Sequence, residues 1–264
     1  MNLMLFSPEE WGRELPAHDR RVTHMRKVLR SASGDNVRVG LLGVGAGEAT
    51  VHSIERDGAV LDFPLRDSLE ASRPLHPVRV LVAHPRPIVL KRMLKDLSTL
   101  GVQAIHICGS DLGEKSYLRS KLWNDSVYVT RPADSADSAD SAGGPRERLI
   151  EGAEQAGSVF IPTVSLHNSM DAALEEVPEL SSGLRLVASP HAQQNVTAYL
   201  NTQAPDDWSE GASTVIGAER GLSEREEALL MHAGYEPVGL GPRILRTETA
   251  ALLACGVLSL SAIG

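Results

Sequence analysis

The chain has 264 residues, a net charge of −8 and 42% hydrophobic residues, enough to bury one large domain or a medium one with a small companion. No apolar run approaches the roughly 20 residues of a membrane span. The two cysteines, Cys108 and Cys255, fit no metal spacing and are expected to be reduced core thiols of a cytoplasmic protein.

In chain order, Met1 to Phe6 is apolar but short, lacks basic flanks and runs into Ser7-Pro-Glu-Glu10, so it is not expected to be a signal peptide. Val22, Met25, Val28 and Leu29 follow helical spacing, with Arg20, Arg21, Arg26, Lys27 and Arg30 mostly off that stripe. This predicts a short amphipathic helix with a basic face. Alternation at Val37, Val39 and Leu41 predicts a strand, and Asp57-Gly58 a hairpin between Ala49–Ile54 and Ala59–Phe63. The run Gly43-Val-Gly-Ala-Gly47 lacks the Gly-Lys-Ser/Thr ending of a phosphate loop and reads as a loose hairpin. Pro64 to Pro77 reads as a linker.

From Val78 the pattern becomes α/β. Val78–Ala83 is a predicted strand, followed by a helix over Ile88–Leu100 with Pro87 at its first position and Gly101 as its stop. Val102–Ile107 completes a βαβ unit, and hence a parallel sheet. Ala-Asp-Ser repeats between Ala133 and Ala142 predict a flexible acidic insertion over 132–145. Further on, the expected elements are a helix over Arg146–Gly157 and strands at Ile161–Val164, Leu184–Ala188 and Ser213–Gly217. Ser223 with Glu226 forms a capping box for a helix stopping at Gly234, then come Tyr235–Leu240 and a helix from Ala250 to Leu260, with Thr247 placed to cap it.

Charge is unevenly spread. Residues 79–131 carry nine Lys/Arg against four Asp/Glu, and residues 132–241 five against eighteen, so the acidic total hides a basic region of the kind that captures phosphates. The strand ends at Ser189, Gly217 and Gly241 each lead into a glycine- or proline-bearing loop, where α/β sheets place ligand chemistry. Neither glycine loop is Gly-x-Gly-x-x-Gly, and there is no Gly-x-Ser-x-Gly elbow and no His-Glu-x-x-His. Dinucleotide oxidoreductase, hydrolase and metalloenzyme readings therefore lack their basic parts, and no metal is expected.

The blocks Ile216-Gly-Ala-Glu-Arg-Gly-Leu-Ser-Glu224 and Leu240-Gly-Pro-Arg-Ile-Leu-Arg-Thr-Glu-Thr-Ala250 closely resemble the bacterial 16S rRNA uridine-N3 methyltransferase family of the SPOUT superfamily. The resemblance extends to Ala153-Glu-Gln155, to Leu97 through Val102, and to His24-Met-Arg-Lys-Val-Leu-Arg30 with Gly34-Asp35, and so spans most of the chain. It implies an α/β SPOUT-type trefoil-knotted methyltransferase domain over 71–264, preceded by a small PUA-like β-barrel RNA-binding domain over 1–70. It also implies a homodimer, S-adenosylmethionine as cofactor, and RNA (16S rRNA or the small ribosomal subunit) as partner, with no membrane. By the same carry-over the cofactor cup comprises Ala188, Ser189, Pro190, Ile216, Gly217, Glu219, Gly221, Leu240, Gly241, Ile244, Leu245 and Thr249.

The chain departs from the family at Gly217-Ala-Glu-Arg-Gly221, where Gly-Pro-Glu-Gly-Gly is common, and at Ser110-Asp-Leu112, where Ser-Glu-Arg is frequent. An arginine that usually follows the Glu-Gln pair is absent from Ala156-Gly-Ser158, and Ala83-His-Pro-Arg-Pro87 is unlike the usual first loop. These changes fall on the RNA-facing set, so methyl transfer is expected before any particular target. Another RNA substrate, or a non-catalytic RNA-binding protein of this fold, are the rival readings. Stabilising a uridine anion calls for guanidinium donors: Arg246 is the first expectation and Arg243 the second, with Glu219 either accepting the proton or holding an arginine. Arg26, Lys27, Arg30, Arg86, Lys91 and Arg92 are the expected RNA contacts.

Overall fold

The computed structural model describes residues 2–124, 129–130, 144–204 and 208–261. The chain divides into two compact units: Met1–Pro74 with Ala153–Ile161, and Leu75–Gly152 with Pro162–Gly264. Most of the acidic insertion expected from the sequence lies outside the described residues. Its proposed end is corrected, since Pro145 already opens a helix.

The first unit is a curled sheet. It contains β1 (Met4–Phe6), β2 (Leu15–Pro16), β3 (Asn36–Leu41), β4 (Gly45–Glu55), β5 (Gly58–Asp62) and β6 (Glu70–Ala71), ordered β1-β3-β4-β5-β2 with β6 on β4. β6 falls where a linker was expected. The start of β4 is glycine-bearing, and a Cβ at Gly45 would collide with the Glu70 carbonyl, so the bare backbone is what admits the extra strand. The Gly43–Gly47 run is correspondingly tighter than expected, with strand β4 beginning at Gly45.

Inward alternation of Val37, Val39, Ala49, Val51, Ala59 and Leu61 builds the core of this unit with Met4, Phe6, Val22 and Met25. Phe6, Trp11 and Phe63 pack edge-on or tilted at centroid distances of 6.1, 5.0 and 4.6 Å.

The expected amphipathic helix is broken in two. Helix α1 (Arg20–His24) passes into a π-turn over Met25–Leu29. The wider turn shifts the angular spacing, so Val22 and Met25 are buried while Val28 and Leu29 stand 65% and 48% exposed. The four-residue apolar stripe is therefore corrected to its first two members. Arg21 also leaves the expected basic face. It is buried over the Phe6 ring at 4.4 Å, with Asp19 and Glu10 each 2.7 Å from its guanidinium.

The second unit is an all-parallel sheet. Its strands are β7 (His76–Ala83), β8 (Val102–Cys108), β9 (Val129–Thr130), β10 (Thr163–His167), β11 (Leu184–Ala188), β12 (Ala212–Ile216) and β13 (Glu236–Val238), in the order β13-β11-β12-β7-β8-β10-β9. Helices α2 (Pro87–Leu100), α3 (Pro145–Ala156), α4 (Met170–Glu176), α5 (Val196–Leu200), α6 (Glu224–His232) and α7 (Thr247–Ser261) complete it, the last turn of α3 belonging to the first unit. β10 starts two residues later than the expected Ile161, and α4 and α5 were not foreseen.

Two near-continuous apolar strands, β7 and β8, form the sheet centre, as parallel strands covered on both faces require. The chain runs β11 to β12, then returns past β11 to β13 before α7 crosses back to pack on α2, β7 and β12. The C-terminal part of the sheet thus doubles back around β11, which lies between β12 and β13. Among the described residues, no helix is long and apolar enough to cross a membrane.

Candidate active site

Three adjacent parallel strands, β13, β11 and β12, end side by side at Val238, Ala188 and Ile216. Backbone bonds stitch their loops together. Ser189 N donates to Val238 O at 3.0 Å, Gly239 N to Gln194 O at 2.9 Å, and Val196 N to Gly239 O at 2.9 Å. The loop after β12 turns back on itself through Gly221 N to Ala218 O at 2.9 Å, and a Cβ at Gly217 would sit 3.0 Å from the Gly221 carbonyl carbon. A side chain there would press on the Gly221 backbone, so glycine suits this close approach.

Thr247 is the first residue of α7, and its hydroxyl donates to the Gly217 carbonyl at 3.4 Å. The expected role as a helix cap is thereby corrected: the side chain ties two loops of the cup instead, because a carbonyl from the neighbouring strand end lies within its reach.

The third loop, Leu240 to Arg246, projects from this floor. Gly241 sits at φ 123° with no heavy atom within 4 Å of where a Cβ would stand. Ile244 is 88% exposed, Leu240 and Leu245 are half-buried, and Arg243, Arg246 and Thr249 are exposed. The cup thus offers glycine backbone, free apolar side chains and two guanidinium groups. Ser189, Pro190, Gly217, Glu219, Gly221 and Leu240–Leu245 all belong to these three loops, whereas Ile216 is buried at the strand end and supplies backbone.

Glu219 is exposed, and its Oε1 accepts from the backbone N–H of Arg86 at 3.3 Å, at the start of α2. Just before it in sequence, His84 is nearly buried at the end of β7, with Nδ1 2.6 Å from Pro85 O and Nε2 accepting from Trp123 Nε1 at 2.8 Å. Burial lowers the His84 pKa, and those two partners fix the Nδ1–H tautomer.

A second support was not read from the sequence. Glu226, fully buried, completes the capping box with Ser223 and also accepts from Asp111 N at 2.9 Å and Ser110 Oγ at 3.3 Å. Asp111 takes Ser223 Oγ at 2.6 Å and Arg225 Nε at 2.9 Å, while Arg225 Nη1 reaches Asp171 at 2.8 Å. Arg225 of α6 thus brings a guanidinium to the loop after β8. The capping-box spacing was the only sequence signal of this hub.

The expected RNA contacts fall in both units. Arg26, Lys27 and Arg30 lie on the π-turn of the first, and Arg86, Lys91 and Arg92 at the start of α2 in the second. Lys95, on the same helix, is 3.5 Å from Glu151. Among the described residues, no group of three or more His, Cys, Asp or Glu side chains could hold a metal.

Comparison with known proteins defines an RNA methyltransferase. A family model described as an RNA methyltransferase domain matches residues 133–259. The chain is 30% identical over 263 residues to the ribosomal RNA small subunit methyltransferase E of Treponema pallidum, covering 97% of this chain and 90% of the relative. It is 26% identical over 254 residues to ribosomal RNA small subunit methyltransferase E 1 of Borreliella burgdorferi, covering 96% and 95%. The fold matches a crystal structure of the methyltransferase E of Neisseria gonorrhoeae bound to S-adenosyl methionine, with a TM-score of 0.69 and 24% identity over 98% of this chain and 97% of that one. The chain belongs to the ribosomal RNA small subunit methyltransferase E family.

Proposed function

We propose that the protein methylates N3 of a uridine in the 16S rRNA of the small ribosomal subunit, using S-adenosylmethionine. The observation that carries this reading is the stitched cup at the ends of β13, β11 and β12, with Ile244 exposed beside the backbone of Gly239 and Gly241. A nucleoside fits such a surface, its base covering apolar side chains while open backbone reads its edge. Leu240, Ile244 and Leu245 would cover the adenine, and the Ser189–Pro190 and Gly217–Gly221 loops would hold the rest. The bound donor supplies a methyl group already activated on a sulfonium.

What remains for the protein is alignment, and stabilisation of the uridine once its N3 proton leaves to solvent. Arg246, with Arg243 as the second group, donates to the ring oxygens and favours the anion. Neither makes an ion pair within 4.0 Å among the described residues, so both are available. Glu219 serves as an anchor: its bond to the Arg86 amide supports holding the start of α2 against the cup over accepting the proton. Arg86, Lys91 and Arg92 face RNA phosphates from that helix start, and Arg26, Lys27 and Arg30 do so from the first unit.

The protein works in the cytoplasm as a homodimer. Leu253 and Leu260, seven residues apart on one face of α7 and 41% and 76% exposed, offer an apolar strip for a second copy. Light scattering should return twice the chain mass of 28.3 kDa.

The direct test incubates the protein and S-adenosylmethionine with small subunits from a strain lacking the gene, followed by mass spectrometry of the rRNA nucleosides. New N3-methyluridine is the expected product. Methylation of a different base or RNA would transfer the reading to another target, and no methylation of any RNA would favour a binding role alone.

A further inference from the structure

The link between β7 and α2 is stiff and tied at both ends. In His84-Pro85-Arg86-Pro87 each residue that is not a proline precedes one, which disfavours helical backbone there, and Arg86 sits at φ −52° and ψ 139°. Arg86 carries the only backbone N–H from Pro85 to Pro87, and that N–H is the donor to Glu219 Oε1 at 3.3 Å. Its carbonyl accepts from Val89 N and Leu90 N at 2.9 Å each, so the position of Arg86 sets where α2 begins. One residue therefore meets the loop after β12 on one side and starts a helix on the other.

The other end of the link is His84. Its backbone N–H donates to Cys108 O at 2.9 Å, and its ring packs on Tyr117 and Trp123 at centroid distances of 5.8 and 5.3 Å. Both aromatic residues come from short helical turns after β8, Lys115–Arg119 and Lys121–Asn124. Trp123 is fully buried, and an indole nitrogen can only donate. His84 must therefore present a lone pair at Nε2, 2.8 Å away, and carry its proton on Nδ1, where Pro85 O takes it at 2.6 Å. Ring position and tautomer are fixed together. Burial lowers the His84 pKa, opposed by the Pro85 bond and by the charge of Glu219, so the neutral ring is the one that persists. With both nitrogens engaged, this imidazole acts only through the residues it holds.

We propose that His84 is a positioning residue for methyl transfer: locked by Trp123, it aims the Pro85–Pro87 link so that the Arg86 amide holds Glu219 and α2 starts against the cup. Neither His84 nor Trp123 touches the reacting atoms. The proposal rests on the RNA methyltransferase reading and deepens it, adding two residues that lie outside the three cup loops. It also gives a use to the unusual first loop, Ala83-His-Pro-Arg-Pro87.

The test measures small-subunit methylation by the wild type, Trp123→Phe, His84→Leu and His84→Gln, with S-adenosylmethionine affinity and melting temperature recorded on the same preparations. Trp123→Phe keeps a ring in the core but removes the donor. It should lower kcat about fivefold, the worth of one hydrogen bond, with S-adenosylmethionine affinity within about twofold of the wild type. His84→Leu leaves the buried indole N–H unpaired and should lower kcat at least as far. The side-chain carbonyl of His84→Gln accepts the indole N–H in place of Nε2 and should restore most of the wild-type kcat. The indole proton resonance of Trp123, assigned by its loss in Trp123→Phe, reports on the link without turnover. Adding S-adenosylhomocysteine should shift it in the wild type and in His84→Gln but not in His84→Leu.

Wild-type kcat in Trp123→Phe and His84→Leu, within an enzyme that methylates its rRNA, would overturn the positioning role and leave the methyltransferase reading standing. A His84→Gln enzyme as impaired as His84→Leu would also overturn it, by showing that the ring only fills space. An indole resonance indifferent to bound S-adenosylhomocysteine would do the same, by separating the link from the cup. Should His84→Leu fail to fold, Trp123→Phe and the wild-type resonance decide. A wild type that methylates no RNA would overturn both readings.

Discussion

Arg246 stands exposed immediately before α7, and its carbonyl accepts from Ala250 N in the first turn of that helix. Its backbone is fixed while its guanidinium is free, the combination that electrostatic catalysis uses. Arg246→Ala should lower kcat by about 100-fold and leave S-adenosylmethionine affinity nearly unchanged, measured by single-turnover methylation and calorimetry. Equal activity would remove Arg246 from the reaction. His106 makes a different kind of prediction. It lies 2.6 Å from Ser165 Oγ, which is 2.8 Å from His167 Nε2, and His167 Nδ1 is 2.6 Å from Glu176. Burial, with smaller contributions from His167 and Arg79, lowers the His106 pKa from 6.5 to about 4, and its Nε2 has no hydrogen-bond partner among the described residues. The unfolded chain therefore takes up this proton at a higher pH than the folded one. Stability is fully present above about pH 6.5 and falls by at most about 3 kcal/mol as the pH drops toward 4. Urea unfolding of His106→Asn should show a shallower loss over that window; an unchanged slope would place the proton uptake elsewhere. The loop arginines were legible in the sequence because glycine and proline breaks frame them. Arg21 was not, since an arginine within a basic cluster reads as surface, and only the fold brings Glu10, Asp19 and the Phe6 ring around it.

At the scale of elements, most strands and helices with a clean period were readable to within a residue or two, although α7 begins at Thr247 rather than Ala250 and β4 at Gly45 rather than Ala49. Leu184–Ala188 is β11 as expected, and Ser223 with Glu226 opens α6 through the capping box. The elements that escaped are those set by tertiary bonds. β6 pairs with β4 where Gly45 leaves room for the Glu70 carbonyl, and the π-turn ends at Arg30 in a left-handed conformation. Glu226 shows how one local signal serves a larger purpose. Its carboxylate caps α6, and it also pins the loop after β8 through Asp111 N and Ser110 Oγ. Glu226→Ala leaves those donors without their acceptor in a buried place. It should cost about 3 kcal/mol and weaken S-adenosylmethionine binding, because the Gly217–Leu222 loop leads directly into this cap. Asp111→Ala removes only exposed partners, Arg225 and the Ser223 hydroxyl, and should have a smaller effect on the melting temperature. Equal losses in the two variants would mean that the exposed ion pairs, not the buried carboxylate, hold the hub.

For the whole molecule, the least legible feature is that the chain returns to its first unit after leaving it. Ala153–Ile161 belongs with Met1–Pro74, and no periodicity in a nine-residue segment signals so distant a partner. The physical link is Glu154. Its side chain is 2% exposed, and it holds Arg20 Nη1 at 2.6 Å and Nη2 at 2.8 Å while accepting from Leu5 N at 3.0 Å. The Ala153-Glu-Gln155 motif therefore has a structural use in this chain: Asn2 donates to the Gln155 carbonyl at 2.8 Å, and Val159 packs within 2.9 Å of where a Gly40 side chain would begin. A fragment ending at Pro74 lacks all of these partners, so Arg20 loses its carboxylate and the Leu5 amide its acceptor. That fragment should fail to fold cooperatively, whereas the same residues joined to 153–161 through a short glycine-serine linker should give a single sharp thermal transition. Within the intact protein, Glu154→Ala leaves Arg20 and the Leu5 amide unpaired at the sheet edge and should destabilise the first unit by about 3 kcal/mol. Hydrogen exchange would locate that loss, with protection falling in β1 and β3 and persisting in β7 and β8. A fragment 1–74 that folds as well as the linked form would show instead that the returning segment is an accessory to the first unit rather than part of its core.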